Sequence, residues 1–412
     1  MPMPVPSAFF WLIGNGEWDL ASLPFGTFSL IMIHFESGTT FLFGHLEAVL
    51  MVTEREKKVI IAVLVLLGLI LLWAFSEPFR SRLGEGVVVK IGMWKAHETP
   101  IVRMAVSVDG KRLATVGKDK VIKVWDVDRR SLLATFEGHQ ERVTCLAFSP
   151  DASRLVSGSV DQTVRVWSLM TGQQERVFSP ETTEDWHSGW IEAVAISPDG
   201  NILATGGRDT AVKLWDLSSG KPLATLWGHQ DTVTSLAFSK AEPHFLASGS
   251  TDGAIWIWDV KKAEPYLQIP PHGLNPQSIV FSPDGKYLVV GSYATAGVRI
   301  LDWRKAKVLK WCDGVVEGTV WEVTYSPDGR LIAAGSGDNG LWLWSSPSGH
   351  WIRTIKDEYW GDVRGVAFTD NGKVVIGAFE DGTVRLWRIT GLRIHIPAPK
   401  LPSVPGGEEH AH

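Results

Sequence analysis

The sequence predicts an all-β protein built from repeats, and a recurring Trp-Asp pair is the main observation behind this prediction. The pair ends strand-like segments at Asp126 (VIKVWD), Asp216 (VKLWD) and Asp259 (IWIWD). Degenerate copies of the segment contain Trp167, Trp344 and Trp387. Most copies lie roughly 43 residues apart, a period typical of repeat architectures. One interval is twice as long, and Leu301 takes the place of the missing Trp within it.

Each repeat has the pattern of four short strands joined by tight turns. The second copy, GHQERVTCLAFSPDASRLVSGSVDQTVRVWSL, begins with a Gly-His pair and an apolar strand. A Ser-Pro-Asp turn follows, and it recurs at Ser197, Ser282 and Ser326. Pro presets the first bend of such a turn, and Asp or Gly tolerates the second. A second strand, a turn containing Asp, the Trp strand and a fourth strand complete the unit.

The amino-acid composition favours a large globular repeat domain and argues against some kinds of partner and site. The chain has 412 residues, 45% of them hydrophobic, which is enough for a large core shared by the repeats. A formal net charge of -5 and the lack of a Lys and Arg run argue against a nucleic-acid partner. Cys145 and Cys312 fit neither a metal spacing nor a disulfide framework, and we expect both to be buried apolar residues.

From about Val87 to Thr390 the pattern resembles the WD40 repeat family, because His, Ser or Thr, Asp and Trp recur in register. The resemblance implies a seven-bladed β-propeller of four-stranded blades around a central channel. Propellers of this family close by taking one strand of the last blade from the other end of the chain. We therefore expect Val87 to Ile91 to pair with Thr383 to Trp387. Leu392 to Ile396 competes for that place but follows Trp387 too closely.

In four repeats the conserved polar set of the family is complete. The resemblance implies that these residues form a buried hydrogen-bond network with the Trp indole: His97, Thr115, Asp119 and Trp125; His139, Ser157, Asp161 and Trp167; His187, Thr205, Asp209 and Trp215; His229, Ser248, Asp252 and Trp258. Ser or Thr, His and Asp are also the residue types of a hydrolase triad. A catalytic triad is needed once per molecule, so the fourfold recurrence favours a structural role.

The last three repeats depart from the pattern. The fifth keeps His272 but has Leu301 for Trp; the sixth has Asp338 and Trp344 with Val316 and Ala334 where His and Ser are expected; the seventh has Asp381 and Trp387 with Tyr359 and Gly377. We expect apolar packing or other polar contacts to hold these blades. The first four blades are predicted to be the more rigid half.

The resemblance also implies where partners dock, since in this family they usually contact the rim where the strands begin. The rim positions are three and five residues after the His and one before the Asp: Pro100, Val102, Lys118, Arg142, Thr144, Val160, Trp190, Glu192, Arg208, Thr232, Thr234, Thr251, Asn275, Gln277, Ala294, Thr319, Trp321, Gly337, Asp362, Arg364 and Glu380. Trp and Arg dominate interface energetics. The candidate partner-binding anchors are Arg142, Trp190, Arg208, Trp321 and Arg364.

The N-terminal part predicts a membrane anchor. Residues 1–50 are an apolar stretch without Lys or Arg, either a further membrane element or an artefact of gene-start assignment with the true start at Met51. Residues 51–85 form the anchor and linker, with 17 uncharged residues at 59–75 that span roughly 26 Å as a helix. That length favours a retained transmembrane helix over a cleaved signal peptide. Basic residues flank it almost evenly, and a start at Met51 favours an exported propeller.

The predicted organisation is thus an anchor, a propeller at 86–391 and a flexible tail at 392–412. The inner strands TCLAF, EAVAI, TSLAF, QSIVF and RGVAF carry no catalytic constellation, and we predict no cofactor and no metal site. The predicted function is a membrane-anchored, non-catalytic scaffold for protein partners. The alternative is an exported propeller enzyme or ligand sensor that uses the central channel. Ionisable residues converging in the channel favour the alternative, whereas a flat rim with exposed Trp190 and Trp321 favours docking.

Overall fold

The computed structural model describes residues 31–34, 40–43, 85–271, 273, 275–293, 297–314, 318–337, 340–356 and 361–392. The chain divides into two compact units, Met1–Ser81 and Arg82–His412. In the first unit, β1 (Ile31–His34) pairs antiparallel with β2 (Thr40–Phe43). Among the residues so described, no helix is long and apolar enough to cross a membrane. The predicted anchor at 59–75 lies outside the described residues, and so do His272, Ala294, Val316, Asp338 and Tyr359.

The described residues of the second unit form seven four-stranded antiparallel sheets, which we call blades one to seven. Blades one to four contain, from first to fourth strand, β4 (Ile101–Val106), β5 (Arg112–Gly117), β6 (Ile122–Asp126), β7 (Ser131–Phe136); β8 (Val143–Phe148), β9 (Arg154–Ser159), β10 (Val164–Ser168), β11 (Gln174–Phe178); β12 (Ile191–Ile196), β13 (Ile202–Gly207), β14 (Val212–Asp216), β15 (Pro222–Leu226); β16 (Val233–Phe238), β17 (Phe245–Ser250), β18 (Ile255–Asp259) and β19 (Glu264–Ile269).

Blades five to seven contain β20 (Pro276–Phe281), β21 (Leu288–Ser292), β22 (Val298–Asp302), β23 (Lys307–Trp311); β24 (Val320–Tyr325), β25 (Leu331–Ser336), β26 (Leu341–Ser345), β27 (Trp351–Ile355); β28 (Val363–Thr369), β29 (Val374–Phe379), β30 (Thr383–Leu392) and β3 (Glu85–Lys95). Short 3-10 turns occupy Trp303–Lys305 and Asp370–Gly372. The first strand of each blade packs against the first strands of its two neighbours, and β28 packs against β4. The blades therefore close a ring, and the predicted seven-bladed all-β propeller is confirmed.

Turn chemistry fixes the hairpin between the first two strands of a blade. In blade three the Ser197 hydroxyl donates to Asp199 and accepts from the Ile202 N–H at 2.8 Å. Asp199 in turn accepts from the Asn201 N–H at 3.1 Å. Gly200 takes a φ of +79°, which a residue without Cβ adopts at little cost. The Ser-Pro-Asp-Gly sequence therefore encodes this turn locally.

The strand before blade one closes the ring, as predicted, but it is longer than expected and its register differs. β3 pairs with β30 along its whole length, with Val88 opposite Ile389 and Lys90 opposite Trp387. A bulge between Lys90 and Gly92 shifts the register, and Lys95 then faces Thr383. Thr383 to Trp387 therefore pairs with residues 90–95 and not with 87–91. The β pattern continues past Ile91, and the bulge takes up the extra residue without breaking the ladder.

The closing pair of strands reaches from Glu85 on β3 to Leu392 on β30. Glu85 pairs with Leu392, so the first residue assigned to the tail is the last residue of β30. The predicted competing strand from Leu392 to Ile396 shares only this residue with the described part of the chain. Antiparallel pairing is the reason, because each residue added to β3 at its N-terminal end brings one more residue of β30 into the sheet.

The core is a ring of interblade contacts. Seven clusters of buried side chains each combine residues of two neighbouring blades, including blades seven and one. Trp215, Trp258 and Trp344 are among the largest fully buried side chains. Each of these indoles lies between its own blade and the blade before it. Apolar burial therefore joins the blades to each other, while backbone ladders hold each blade together.

Candidate binding face and central channel

One face of the propeller carries the residue sets predicted from the repeat. In blade one, His97 precedes β4, Thr115 lies on β5, Asp119 follows β5 and Trp125 lies on β6. His97 Nδ1 is 3.1 Å from Asp119 Oδ2, and its Nε2 is 2.9 Å from Thr115 Oγ1. The Trp125 indole N–H donates to the same hydroxyl at 2.9 Å. We call each such set a tetrad and the side of the ring that carries the His and Asp residues the rim face.

Blades two to four repeat this geometry. The His Nδ1 to Asp distances are 2.9, 2.8 and 3.0 Å, and the His Nε2 to hydroxyl distances are 2.7 Å in each blade, for His139, His187 and His229. The indole N–H of Trp167, Trp215 and Trp258 donates to the hydroxyl of Ser157, Thr205 and Ser248 at 2.8 Å. Each tetrad thus ties three of the four strands or their loops together.

Burial shifts the pKa of two tetrad histidines in the same direction. It lowers the pKa of His97 and of His229 below 6.5, although the hydrogen bonds and charges of Asp119 and Asp252 oppose the shift. Burial favours a raised pKa for Asp161, but the hydrogen bond and charge of His139 outweigh it and hold this pKa well below its usual range. A neutral imidazole that donates from Nδ1 leaves Nε2 to accept from the hydroxyl. The hydroxyl then accepts from the indole, so every group has a partner.

The tetrad hydroxyls are poorly suited to catalysis. Thr115, Ser157, Thr205 and Ser248 are completely buried, and each is already bonded to both a His and a Trp. A nucleophile needs access to a substrate carbonyl and a free lone pair. The geometry therefore supports the structural reading of these residues.

The degenerate blades use substitutes that the sequence did not indicate. In blade six, where Ala334 replaces the hydroxyl, the Trp344 indole donates to the Asp313 carbonyl at 2.7 Å. In blade seven, Arg385 is completely buried, hydrogen-bonds Asp381 and lies over the Phe379 ring at 4.1 Å.

Blade five replaces its missing Trp with the next aromatic residue. Trp303, two residues after Leu301, is completely buried and donates to the Gly285 carbonyl at 2.9 Å. It lies within 5.7 Å, ring to ring, of both Phe245 and Phe281. An aromatic ring therefore still packs between blades four and five, although the residue that carries it lies two positions after the usual place of the Trp.

Four of the five predicted anchors form two stacked pairs on the rim face. The Arg208 guanidinium lies 3.5 Å from the Trp190 ring centroid, and the Arg364 guanidinium lies 3.9 Å from that of Trp321. Both indoles are half-buried, so the fully exposed tryptophans of a flat docking rim are not observed. Cation-π stacking orients each Arg.

A cavity of about 210 Å³ lies where the channel opens at the rim face, and we call it the channel mouth. Its lining is Val102, Arg103, Arg142, Val143, Thr144, Glu192, Gln277, Trp321 and Arg364. Seven of these nine residues are predicted rim positions, and three of them, Arg142, Trp321 and Arg364, are predicted anchors. Arg208 reaches the same region, with its Nε 3.8 Å from Glu192 Oε1. The structure therefore brings the anchors and the channel together.

Sequence reasoning missed Arg103 and Glu322. Both are charged residues on inner strands, Arg103 on β4 and Glu322 on β24. These two strands are not among the five whose inner-strand sequences are small and apolar. Burial raises the pKa of Glu322 to about 7. Two effects oppose this rise: the Val366 N–H donates to the Glu322 carboxylate at 3.0 Å, and Arg103 carries a positive charge nearby. A charge within an apolar inner strand was the signal available. Ionisable residues do converge in the channel.

The acidic segment from Glu181 to Asp185, predicted as a solvated insertion, is anchored at one end. The Asp185 carboxylate is 2.9 Å from the ammonium of Lys213, which is itself buried. Trp186 packs against Trp215 with the rings tilted by 45° and 4.9 Å between ring centroids. Glu181 and Glu184 remain exposed. Among the residues that the structure describes, no group of His, Cys, Asp and Glu has the arrangement of a metal site.

The fold and the tetrads together define a class of protein. It is a propeller of repeats in which a His, a hydroxyl, an Asp and a Trp are hydrogen-bonded within each of blades one to four. The model of the family described as "WD domain, G-beta repeat" matches six segments, residues 88–126, 130–168, 178–216, 220–259, 310–345 and 348–388, which are more than half of the chain. The protein belongs to the WD40 family. The six segments leave out residues 260–309, most of blade five, where the Trp is missing.

A relative in Caenorhabditis elegans, described as "Periodic tryptophan protein 2 homolog", is 34% identical over 96 residues. The match covers 23% of this chain and 10% of that relative. The chain thus matches about a tenth of the length of this relative.

Proposed function

We propose that the propeller is a non-catalytic platform that docks a polypeptide partner on its rim face. The two stacked pairs, Trp190 with Arg208 and Trp321 with Arg364, are the observation that carries this proposal. Trp and Arg are the residue types most enriched among the energetic hot spots of interfaces. An Arg already held against an indole loses less side-chain freedom when a partner binds. WD40 propellers commonly serve as interaction scaffolds, which supports the same conclusion.

The docking proposal is tested by replacing both indoles at once. The double variant Trp190→Ala, Trp321→Ala removes both stacking surfaces from the full-length chain. Trp227→Ala is the matched control, because Trp227 is 63% exposed and follows the outer strand β15. Proteins captured by each variant are compared quantitatively with those captured by the wild type. We expect specific proteins to be lost by the double variant and retained by the control.

The docking proposal fails if the double variant, with an unchanged melting temperature, captures the same proteins in the same amounts as the wild type. Equal losses from the Trp227→Ala variant would also contradict it, since that indole belongs to neither stacked pair. A defined partner can then be cross-linked to positions 190 and 321 to locate the contact directly.

The proposal includes attachment to a membrane through residues 59–75, with the propeller on the exported side. Its support is the sequence alone: an uncharged stretch of 17 residues, close to the length that crosses a hydrocarbon core. The basic residues at Arg55, Lys57 and Lys58 precede this stretch and favour a cytoplasmic N-terminus when translation starts at Met51.

A second candidate function is a ligand sensor that uses the channel. The observation that favours it is the convergence of Arg103, Arg142, Glu192, Glu322 and Arg364 at or beside the channel mouth. The enzyme form of this alternative has less support. Cys145 lies near Arg103, but burial raises the pKa of its thiol to about 12. A thiol with that pKa is protonated at neutral pH and is a weak nucleophile.

A further inference from the structure

The three arginines of the channel mouth differ in how their charge is balanced. Arg364 is neutralised by two carboxylates, with Asp362 at 3.0 Å and Glu380 at 3.4 Å. Arg103 donates to the Val102 carbonyl at 3.1 Å, and within the described part of the chain neither it nor Arg142 has a carboxylate within ion-pair distance. Among the described residues, two guanidinium groups therefore border one cavity without forming an ion pair, although Glu192 lines the same cavity.

The surroundings of Arg103 make its positive charge costly to maintain. Burial lowers its pKa, because desolvation penalises the charged form more than the acidic neighbours Glu322 and Glu192 favour it. Burial also raises the pKa of Glu192 and of Glu322, the latter to about 7. With a pKa of about 7, Glu322 is only partly ionised at neutral pH and offsets less positive charge than a fully ionised carboxylate. A desolvated charge without a partner is costly, and a bound counter-ion removes that cost.

The cavity also limits what fits. At about 210 Å³ it is smaller than the range of roughly 300 to 1,000 Å³ usual for drug-sized ligands, so it admits one small group. The Thr144 hydroxyl already has the carbonyls of Gly158 and Ile191 as acceptors for its one hydrogen, at 3.0 and 2.5 Å. Within the described lining, the charged donors that have no ion-pair partner are the guanidinium groups of Arg103 and Arg142, whose planar forks match the oxygens of carboxylate and phosphate.

We propose that the channel mouth is a binding site for a single anionic oxo group, a carboxylate or a phosphate, held between Arg103 and Arg142. The inference rests on the ligand-sensor candidate and does not depend on partner docking. The group arrives either on a free small molecule or on a side chain of a polypeptide. Both sources present the same oxygens to the two arginines.

The test is a calorimetric titration of the full-length chain in detergent, at low ionic strength, with sulfate, succinate, inorganic phosphate and a tetraglutamate peptide. We expect at least one probe to bind with one site per chain. Arg142→Gln is expected to weaken that binding at least tenfold, and Arg103→Gln likewise. Arg142 is exposed, so its variant folds even if the Arg103 variant does not. Arg129→Gln, an 81% exposed side chain in the turn between β6 and β7, is the matched control and should bind as the wild type does.

The probes separate the two sources. Binding of sulfate, phosphate or succinate at least as tight as that of tetraglutamate indicates a free small anion. Binding of tetraglutamate alone indicates a side chain presented by a polypeptide. The proposal is overturned if no probe binds below about 10 mM, or if the Arg142→Gln and Arg129→Gln variants both bind as the wild type does.

Dependence on pH gives a second readout. Glu322 faces Arg103 on β4 and the backbone of β28, which also carries Arg364, while β20, β21 and β25 contribute no ionisable side chain. Protonation of Glu322 removes negative charge beside Arg103, so sulfate should bind several-fold more tightly at pH 6 than at pH 8. In Glu322→Gln this difference should shrink, with affinity at pH 8 close to the wild-type value at pH 6. An unchanged pH dependence in that variant would contradict the role given to Glu322.

Failure of this site and failure of docking are distinguishable. A Trp190→Ala variant that binds the anion as the wild type does would support the anion site. If that variant also captures the same proteins as the wild type, the docking proposal is weakened. Loss of captured proteins in the double Trp variant, with no anion bound by the wild type, would support docking and reject the site.

Discussion

One hydroxyl at position 157 joins two side chains that are far apart in the sequence. Ser157 lies 2.7 Å from His139 Nε2 and accepts from the Trp167 indole at 2.8 Å, while the His holds Asp161 through its other nitrogen. All of these contacts are inside the protein, where each polar group needs a partner. The strength of a tetrad therefore depends on every member being present.

We predict that Ser157→Ala lowers the free energy of unfolding by about 1 to 3 kcal/mol, because it leaves an imidazole nitrogen and an indole N–H buried without a partner. Chemical denaturation monitored by tryptophan fluorescence measures the change. Ser188→Ala is the control, since Ser188 is exposed and its hydroxyl makes no bond among the described residues. Equal effects of the two substitutions would refute the structural role of the tetrad.

Single residues also explain how the degenerate blades remain folded. In blade six a backbone carbonyl, that of Asp313, replaces the lost hydroxyl as the acceptor for Trp344. In blade seven a buried Arg385 pairs with Asp381. A buried guanidinium needs both a counter-charge and hydrogen bonds, and this one lies on an aromatic ring as well. The polar contacts of these blades thus differ from the tetrads, and they are partly buried.

At the scale of elements, β3 decides whether the ring is closed. It is the outermost strand of blade seven, yet it precedes blade one in the sequence. Val88 packs against the cluster between blades six and seven, whereas the next residue, Val89, is 50% exposed on the opposite side of the strand. Alternation along a strand produces this difference. Two adjacent valines therefore offer a matched pair.

We predict that Val88→Asp destabilises the propeller by at least about 2 kcal/mol, because it places a carboxylate among apolar side chains. Val89→Asp should change the free energy of unfolding by no more than about 0.5 kcal/mol. The two substitutions introduce the same charged residue at adjacent positions of β3, so both cause the same loss of strand propensity. Thermal melts followed by circular dichroism supply the comparison; two equal shifts would mean that β3 does not close the ring as described.

For the molecule as a whole, the proposed attachment to a membrane has the largest consequence. Within the part of the chain that the structure describes, the seven interblade clusters are built from residues 88–389. The membrane proposal therefore concerns where the propeller acts and which partners it meets, not how it folds. It is tested with the full-length chain.

We predict that the wild-type chain stays in the membrane pellet after alkaline carbonate extraction and that deletion of residues 59–75 releases it, because the uncharged segment provides the anchor. Deletion of residues 397–412 is the control and should leave the chain in the pellet. Protease added to sealed cells should digest the propeller if it is exported. Sequencing of the N-terminus then distinguishes a start at Met51 from a signal peptide cleaved after the apolar segment. A soluble wild-type chain would contradict the anchor.

The sequence alone determined the blade. Turn residues such as those at Ser197 act within a few positions, and the spacing of His139, Ser157, Asp161 and Trp167 places them together whenever the strands pair as a repeat requires. Such information is local or periodic, so it can be read from one chain. The closing partner of β30 could also be inferred, because one spare strand preceded the first repeat.

The contacts between distant parts of the chain could be read only from the folded structure. The bulge after Lys90 sets the register of β3, and no local pattern encodes it. The substitutes in blades five to seven come from non-repeating positions, such as Trp303 and the Asp313 carbonyl. Arg103 and Glu322 lie 219 positions apart in the numbering and belong to blades one and six, yet they are electrostatic neighbours. Closure of a ring brings distant inner strands to one axis, and the period of a repeat cannot tell which side chains meet there.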